Sequence, residues 1–158
     1  LPEKIKREKL KFDISKAKRS EWDFYKKYHY LTESMGAGHY YEMKLGCKKV
    51  GFVCIGRFPH PQAKDIMVIN RIVIVPEFQG FGLGIKFLNI VANLYRSDRV
   101  RITTSLKPFI LALKKNKNWK CKRFGRVSNP GKSSLIHNKD SHSVSVNRIT
   151  GTFQYSSK

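Results

Sequence analysis

The chain has 158 residues, enough for one domain with one sizeable core. Its 32 Lys and Arg stand against 11 Asp and Glu, a formal net charge of +21, while a hydrophobic content of 41% excludes a disordered polar chain. No apolar run is long enough to span a bilayer as a helix, and the basic N-terminus lacks the apolar stretch of a secretory signal, so a cytoplasmic protein is expected.

Residues Leu10 to Ile14 read as a short first strand. Ser20-Glu21-Trp22-Asp23 has the form of a capping box, a hydroxyl at the cap and a carboxylate three residues on. Trp22, Tyr25 and His29 follow at helical spacing, and Gly36 and Gly38 end that helix. His39 to Leu45 and Lys49 to Arg57 read as two strands joined at Gly46-Cys47-Lys48. Pro59 and Pro61 mark a loop, and Ile66 to Val75 is a long apolar strand. Ile85 to Arg96 is an amphipathic helix, with Phe87, Leu88, Val91, Ala92 and Tyr95 on one face. Val100 to Ser105 is a strand, and Pro108 to Lys115 a short helix with proline at its start. Trp119 to Arg126 is a strand, Asn129 to Asp140 a polar loop, and Ser143 to Tyr155 the last strand region. The order β-α-β-β-β-α-β-α-β-β predicts a single mixed α/β (α+β) domain over residues 1–158, with a basic N-terminal segment over 1–19.

The charge is clustered. No acidic residue lies between Asp98 and Asp140, while Lys114, Lys115, Lys117, Lys120, Lys122, Arg123 and Arg126 all fall there. A second cluster covers Lys4 to Arg19. A field of this size attracts polyanions, and nucleic acid is the expected partner, ahead of an anionic membrane surface or an acidic protein. The aromatic residues Phe58, Phe81, Trp119 and Phe124 are candidates to stack on bases, with Trp119 read sooner as a core anchor. Cys47, Cys54 and Cys121 have no metal-ligand spacing and imply neither a disulfide framework nor a zinc site.

The stretch Val73-Ile74-Val75-Pro76-Glu77-Phe78-Gln79-Gly80-Phe81-Gly82-Leu83-Gly84 ends a strand and opens a helix. Glycine at alternate positions lets backbone N–H groups come close to a ligand, and a helix N-terminus favours an anion there. No Gly-Lys-Ser/Thr follows, so it is not a Walker loop. The spacing also departs from the dinucleotide Gly-x-Gly-x-x-Gly fingerprint. The stretch resembles the acetyl-CoA-binding motif of the GCN5-related N-acetyltransferase (GNAT) superfamily, with Gln79, Gly82 and Gly84 at its motif positions. That resemblance implies a mostly antiparallel sheet with splayed central strands and flanking helices. It also implies acetyl-CoA held by Val73 to Val75 and by the Gln79–Gly84 loop. Many members place a tyrosine on the helix after the fifth strand as the acid towards the leaving thiolate. The corresponding segment here, Ser105 to Lys120, has none.

Within that superfamily, Tyr28-His29-Tyr30-Leu31, the glycines Gly36 and Gly38, the glycine loop, Ser105 and Val146 to Tyr155 together resemble the Mom-type phage DNA-modification proteins, which protect phage DNA from restriction. The resemblance implies conversion of adenine in double-stranded DNA to N6-carbamoylmethyladenine, with His29, Tyr30 and Ser105 in the site and Asp140 as the late acidic residue. A base acted on in this way leaves the stack. The residues alone leave other readings open. His29 is also readable as a packed, hydrogen-bonded side chain, and Ser105 as a strand terminator and helix cap. Transfer to a tRNA-linked amino acid, a protein or a small amine is the alternative activity, and a DNA-binding protein without chemistry is a third. The sequence leaves the oligomeric state open, a homodimer included.

Overall fold

The computed structural model describes residues 10–29, 33–126 and 149–156. Seven strands form one sheet in the order β1-β2-β3-β4-β5-β7-β6. They are β1 (Asp13–Ala17), β2 (His39–Leu45), β3 (Lys48–Arg57), β4 (Ile66–Ile74), β5 (Arg99–Thr104), β6 (Trp119–Arg126) and β7 (Ile149–Tyr155). All neighbours are antiparallel except β4 and β5, which are parallel and joined by helix α2 (Leu83–Leu94). Helix α3 (Lys107–Lys115) connects β5 to β6. The predicted α+β fold with a mostly antiparallel sheet is therefore present.

The first helix departs from expectation. A 3-10 turn at Arg19–Glu21, one α-turn at Trp22–Tyr25 (α1) and a second 3-10 turn at Lys26–Tyr28 replace it. Ser20 lies inside the first turn, and no side chain caps it. Tertiary packing sets this geometry: Trp22 and Tyr25 are buried on Phe52, and the Trp22 indole donates to the Glu33 carbonyl at 2.6 Å. The first strand begins at Asp13 rather than Leu10. The loop at 129–140 and the first part of the last strand region lie outside the described residues.

Among the described residues the sheet has three register shifts, and the two in β4 and β6 decide which side chains share a face near the gap and along the basic strand. In β4, Arg71 pairs with Cys54 and Ile69 with Ile55, so Asn70 is the extra residue. Alternation therefore changes phase at Asn70. Met67, Ile69, Ile72 and Ile74 face the larger core with α2 and α3, whereas Val73 and Val75 join Trp22, Tyr25, Phe52 and Cys54 on the opposite face. In β6, Cys121 pairs with Phe153 and Arg123 with Thr152, which makes Lys122 the extra residue.

The β4–β5 pairing stops at Ile69–Ile102, although β4 continues to Ile74 and β5 to Thr104. The two central strands splay beyond that point. The gap they leave opens towards the glycine turn that follows β4.

Candidate cofactor cleft

Backbone polarity along the gap follows from the β3–β4 register. The Val75 N–H donates to the Val50 carbonyl at 2.9 Å, so Val75, and by alternation Val73, directs its backbone groups at β3. Ile72 and Ile74 direct theirs into the gap. Of the three residues expected to bind cofactor at the strand end, only Ile74 presents its backbone there. Val73 and Val75 contribute buried side chains beneath it. Ile72, which no local motif singles out, presents its backbone there as well. The sequence signal for it is the polar pair Asn70-Arg71 inside an apolar run, which marks the bulge that sets the phase.

The glycine turn is built outward from that strand end. A 3-10 turn at Pro76–Phe78 reverses the chain, and the Gln79 side-chain amide donates to the Ile74 carbonyl at 2.7 Å. Gln79 thus pins the turn to the strand. Gly80 and Gly82 have φ of 86° and 73°, in the left-handed region that side chains with a Cβ avoid, and Gly82 is the N-cap of α2. Gly84 serves a different purpose. A Cβ there would meet Phe109 Cε2 at 3.3 Å and Ile74 Cγ1 at 3.6 Å, so α3, α2 and β4 converge closely at this residue. Gln79, Gly80, Phe81 and Gly82 are exposed, while Leu83 is buried and anchors the helix start. The first amides of α2 have no intrahelical partner and carry the positive end of a twelve-residue helix. Backbone donors at the mouth and amide-pairing groups along the gap fit a thioester cofactor with a phosphorylated end and an amide-bearing arm.

Of the four candidate catalytic residues, His29 and Ser105 lie among the described residues. His29 is half-buried, ends the second 3-10 turn in extended conformation, and meets the Trp22 ring edge-on at 5.7 Å between centroids. Trp22 packs on Phe52, which is in register with Val73, so His29 belongs to the sheet face that carries Val73 and Arg71. Ser105 is half-buried just past the end of β5. Beside it, Thr104 Oγ1 accepts the Leu106 N–H at 3.2 Å where the chain turns into α3. Tyr30 and Asp140 lie outside the described residues. Arg71 adds a fixed cation beside the splay. Its Nε donates to the Ser34 carbonyl at 3.1 Å and its Nη1 to the Asn70 carbonyl at 2.7 Å.

Away from the cleft, Glu42 is 3% exposed and accepts from the Tyr25 hydroxyl at 2.8 Å. Lys44 and Lys49 lie 3.0 and 3.6 Å from its carboxylate. Burial first, and the Glu42 hydrogen bond second, hold the Tyr25 phenol far above its ordinary range. Burial and the Tyr41 hydroxyl at 2.8 Å do the same to Tyr95. Lys49 also pairs with Glu21 and lowers that carboxyl's pKa through hydrogen bond and charge.

The basic segment from Lys114 to Arg126 is not one surface. Lys114 and Lys115 end α3, and the Lys114 ammonium lies 3.6 Å from the centre of the exposed Phe124 ring. Lys120 and Arg123 lie on the opposite face of the sheet, in register with Gln154 and Thr152. Lys117 belongs to the connection after α3, Lys122 to the bulge, and Arg126 is in register with Ile149 at the strand end. Trp119 is a core anchor, 4% exposed, with its indole N–H donated to Asn89 at 2.7 Å. Phe58 and Phe81 are exposed. Cys47 and Cys121 are exposed, Cys54 is buried, and all three are free. Among the described residues, no cluster of His, Cys, Asp or Glu is placed to hold a metal, and no helix is long and apolar enough to cross a membrane.

No protein-family model matches the chain, and no curated protein matches it in sequence. Solved structures do match in fold. The ribosomal-protein-S18-alanine N-acetyltransferase of Escherichia coli superposes with a TM-score of 0.64 at 11% identity, covering 94% of this chain and 96% of that one. A Bacillus subtilis acetyltransferase in complex with CoA gives 0.60 at 12% identity, over 95% and 100% of the two chains. NAA60 of Arabidopsis thaliana in complex with acetyl-CoA gives 0.61 at 12% identity, over 92% and 98%. The chain has the fold of the GNAT acetyltransferases.

Proposed function

We propose that the chain is an acetyl-CoA-dependent N-acetyltransferase. The observation that carries this reading is the splay of β4 and β5 opening onto the glycine turn. Ile72 and Ile74 direct backbone groups into the gap, and the turn and the α2 amides lie across its mouth. The same fold in proteins crystallised with CoA or acetyl-CoA supports the choice of cofactor. Bound there, acetyl-CoA supplies an acyl carbon activated as a thioester. The chain's own part is to orient it, with Ile72 and Ile74 pairing with the amide-bearing arm and Gly80 to Ile85 receiving the pyrophosphate. An attacking amine must be uncharged, and His29 is the side chain proposed to take its proton. Since α3 contains no tyrosine, the Ser105 hydroxyl is proposed to donate towards the leaving sulfur. Purified protein incubated with acetyl-labelled acetyl-CoA and, in turn, a polyamine, a basic peptide, aminoacyl-tRNA and DNA tests the reading. Label in one acceptor class supports it; no label in any, with no acetyl-CoA bound, contradicts it.

A second reading, Mom-type modification of adenine in DNA, is favoured by the net charge of +21 and by the absence of the usual tyrosine acid. Adenine N6 is a poor nucleophile, and acetyl transfer alone yields an acetyl amide rather than a carbamoylmethyl group. The cleft accounts for the cofactor in this reading and not for the added nitrogen. Mass spectrometry of nucleosides from plasmid DNA of expressing cells separates the two readings. A new adenine derivative, absent with His29→Ala, selects the second.

A further inference from the structure

The β5–β7–β6 half of the sheet has a face with a charge pattern invisible in the linear sequence. Arg101 of β5 and Lys120 of β6 flank Gln154 of β7 in one cross-strand row. Thr103 and Arg123 flank Thr152 in the next. The larger core lies on the other face, with Ile102, Phe153 and Trp119. Arg123 reaches the polar face only because the bulge at Lys122 reverses the alternation; without it, Arg123 would point towards α3. Thr103, Lys120 and Arg123 are exposed, and Arg101 is half-buried with its Nε donated to Gln154 at 3.1 Å. The Thr103 and Thr152 hydroxyls are 2.9 Å apart. The three strands carry no Asp or Glu.

We propose that this face docks double-stranded DNA across its minor groove, with cations on the two outer strands against the two phosphate ridges and the neutral middle strand over the groove. Strands two apart in a sheet are separated by about 10 Å, and long cationic side chains on each reach further. Groove widths exclude the phosphate groups themselves, so the ridge centres bordering a B-form minor groove about 6 Å wide lie roughly 12 Å apart, within that span. The A-form minor groove is wide and shallow, and its ridges lie too far apart for the cations of β5 and β6 to engage both at once. A major groove about 12 Å wide admits a helix or a two-stranded ribbon, not a three-stranded face. Single strands are held by aromatic stacking, and this face presents Thr, Gln, Arg and Lys instead. On β5 the same alternation runs from Arg101 through Thr103 to Ser105 at the cleft, so docked DNA lies beside the proposed acceptor site. The inference rests on charge and register, and stands whether or not the cofactor reading holds.

The test is fluorescence anisotropy of a labelled DNA duplex against salt, with folding of each variant checked by circular dichroism. The paired change Lys120→Glu with Arg123→Glu is expected to weaken binding at least tenfold. The milder Lys120→Gln with Arg123→Gln is expected to lower the slope of log K against log salt by about two. Lys114→Glu with Lys115→Glu, the same charge change on the other face, is expected to weaken binding less than threefold. A minor-groove ligand such as netropsin is expected to displace the wild-type protein, and duplex RNA to bind at least tenfold more weakly. Equal loss from the two charge-reversal pairs, indifference to netropsin, or equal affinity for duplex RNA would each overturn the proposal. Acetyl-CoA affinity measured on the same samples reports separately on the cleft.

Discussion

The Gln79 side-chain amide donates to the Ile74 carbonyl at 2.7 Å, tying the glycine turn to the last residue of the splayed strand. A neutral hydrogen bond of this kind contributes about 1 kcal/mol net. Gln79 is exposed, so Gln79→Ala is expected to lower the melting temperature by no more than about 2–4 °C while weakening acetyl-CoA binding about three- to tenfold. Calorimetric titration of both proteins measures the difference.

The glycines of the turn are expected to separate by mechanism. Gly82→Ala forces a Cβ into the left-handed region at the N-cap, a cost of about 1–2 kcal/mol, and displaces the α2 amides. Gly84→Ala has ordinary backbone geometry and needs Phe109 to yield slightly. Acetyl-CoA affinity is expected to fall at least tenfold for the first and by less for the second. Equal losses would mean that the turn's backbone conformation is irrelevant to binding.

The buried carboxylate of Glu42 holds Tyr25, Lys44 and Lys49 together beneath the N-terminal turns. Breaking a buried pair costs about 3–5 kcal/mol; because both lysines reach water, Glu42→Ala is expected to cost about 2–4 kcal/mol and Tyr25→Phe about 1–2. Urea unfolding gives both values.

Two phenols shape the alkaline limb. Tyr25 and Tyr95 have raised pKa values in the folded state, so the native protein holds those protons more tightly than the unfolded chain. Their contribution is complete below the unfolded tyrosine pKa of about 10 and is lost as pH rises above it. Ultraviolet titration is expected to show these two of the seven tyrosines ionising only as the protein unfolds. The acid limb has the opposite sign: Glu21, lowered by Lys49, contributes above the ordinary carboxylate range and loses that contribution as pH falls through its folded pKa. Glu21→Gln is expected to flatten that limb.

Much of this architecture was legible in the sequence. The turn at Gly46-Cys47-Lys48, the long apolar strand ending at the proline, and the amphipathic face of α2 each carry a local signal, and each element lies where that signal places it. The first helix was not legible, because Trp22 and Tyr25 take their geometry from Phe52, far along the chain. The bulges were equally hidden. An extra residue at Asn70 or Lys122 is defined only by the partner strand, yet Asn70 decides that Ile72 and not Val73 faces the cleft. Lys122 in turn decides that Arg123 leaves the surface of Lys114. The glycine loop is legible because positive φ restricts the residue type directly.

The most direct test of the account is a calorimetric comparison of acetyl-CoA with acetyl-pantetheine, which keeps the thioester and its amides but lacks the pyrophosphate. If the turn and the α2 amides hold that anion, acetyl-CoA binds and acetyl-pantetheine binds at least a hundredfold more weakly. Equal affinity for the two, or no binding of acetyl-CoA by the folded protein, would contradict the assignment of the cleft.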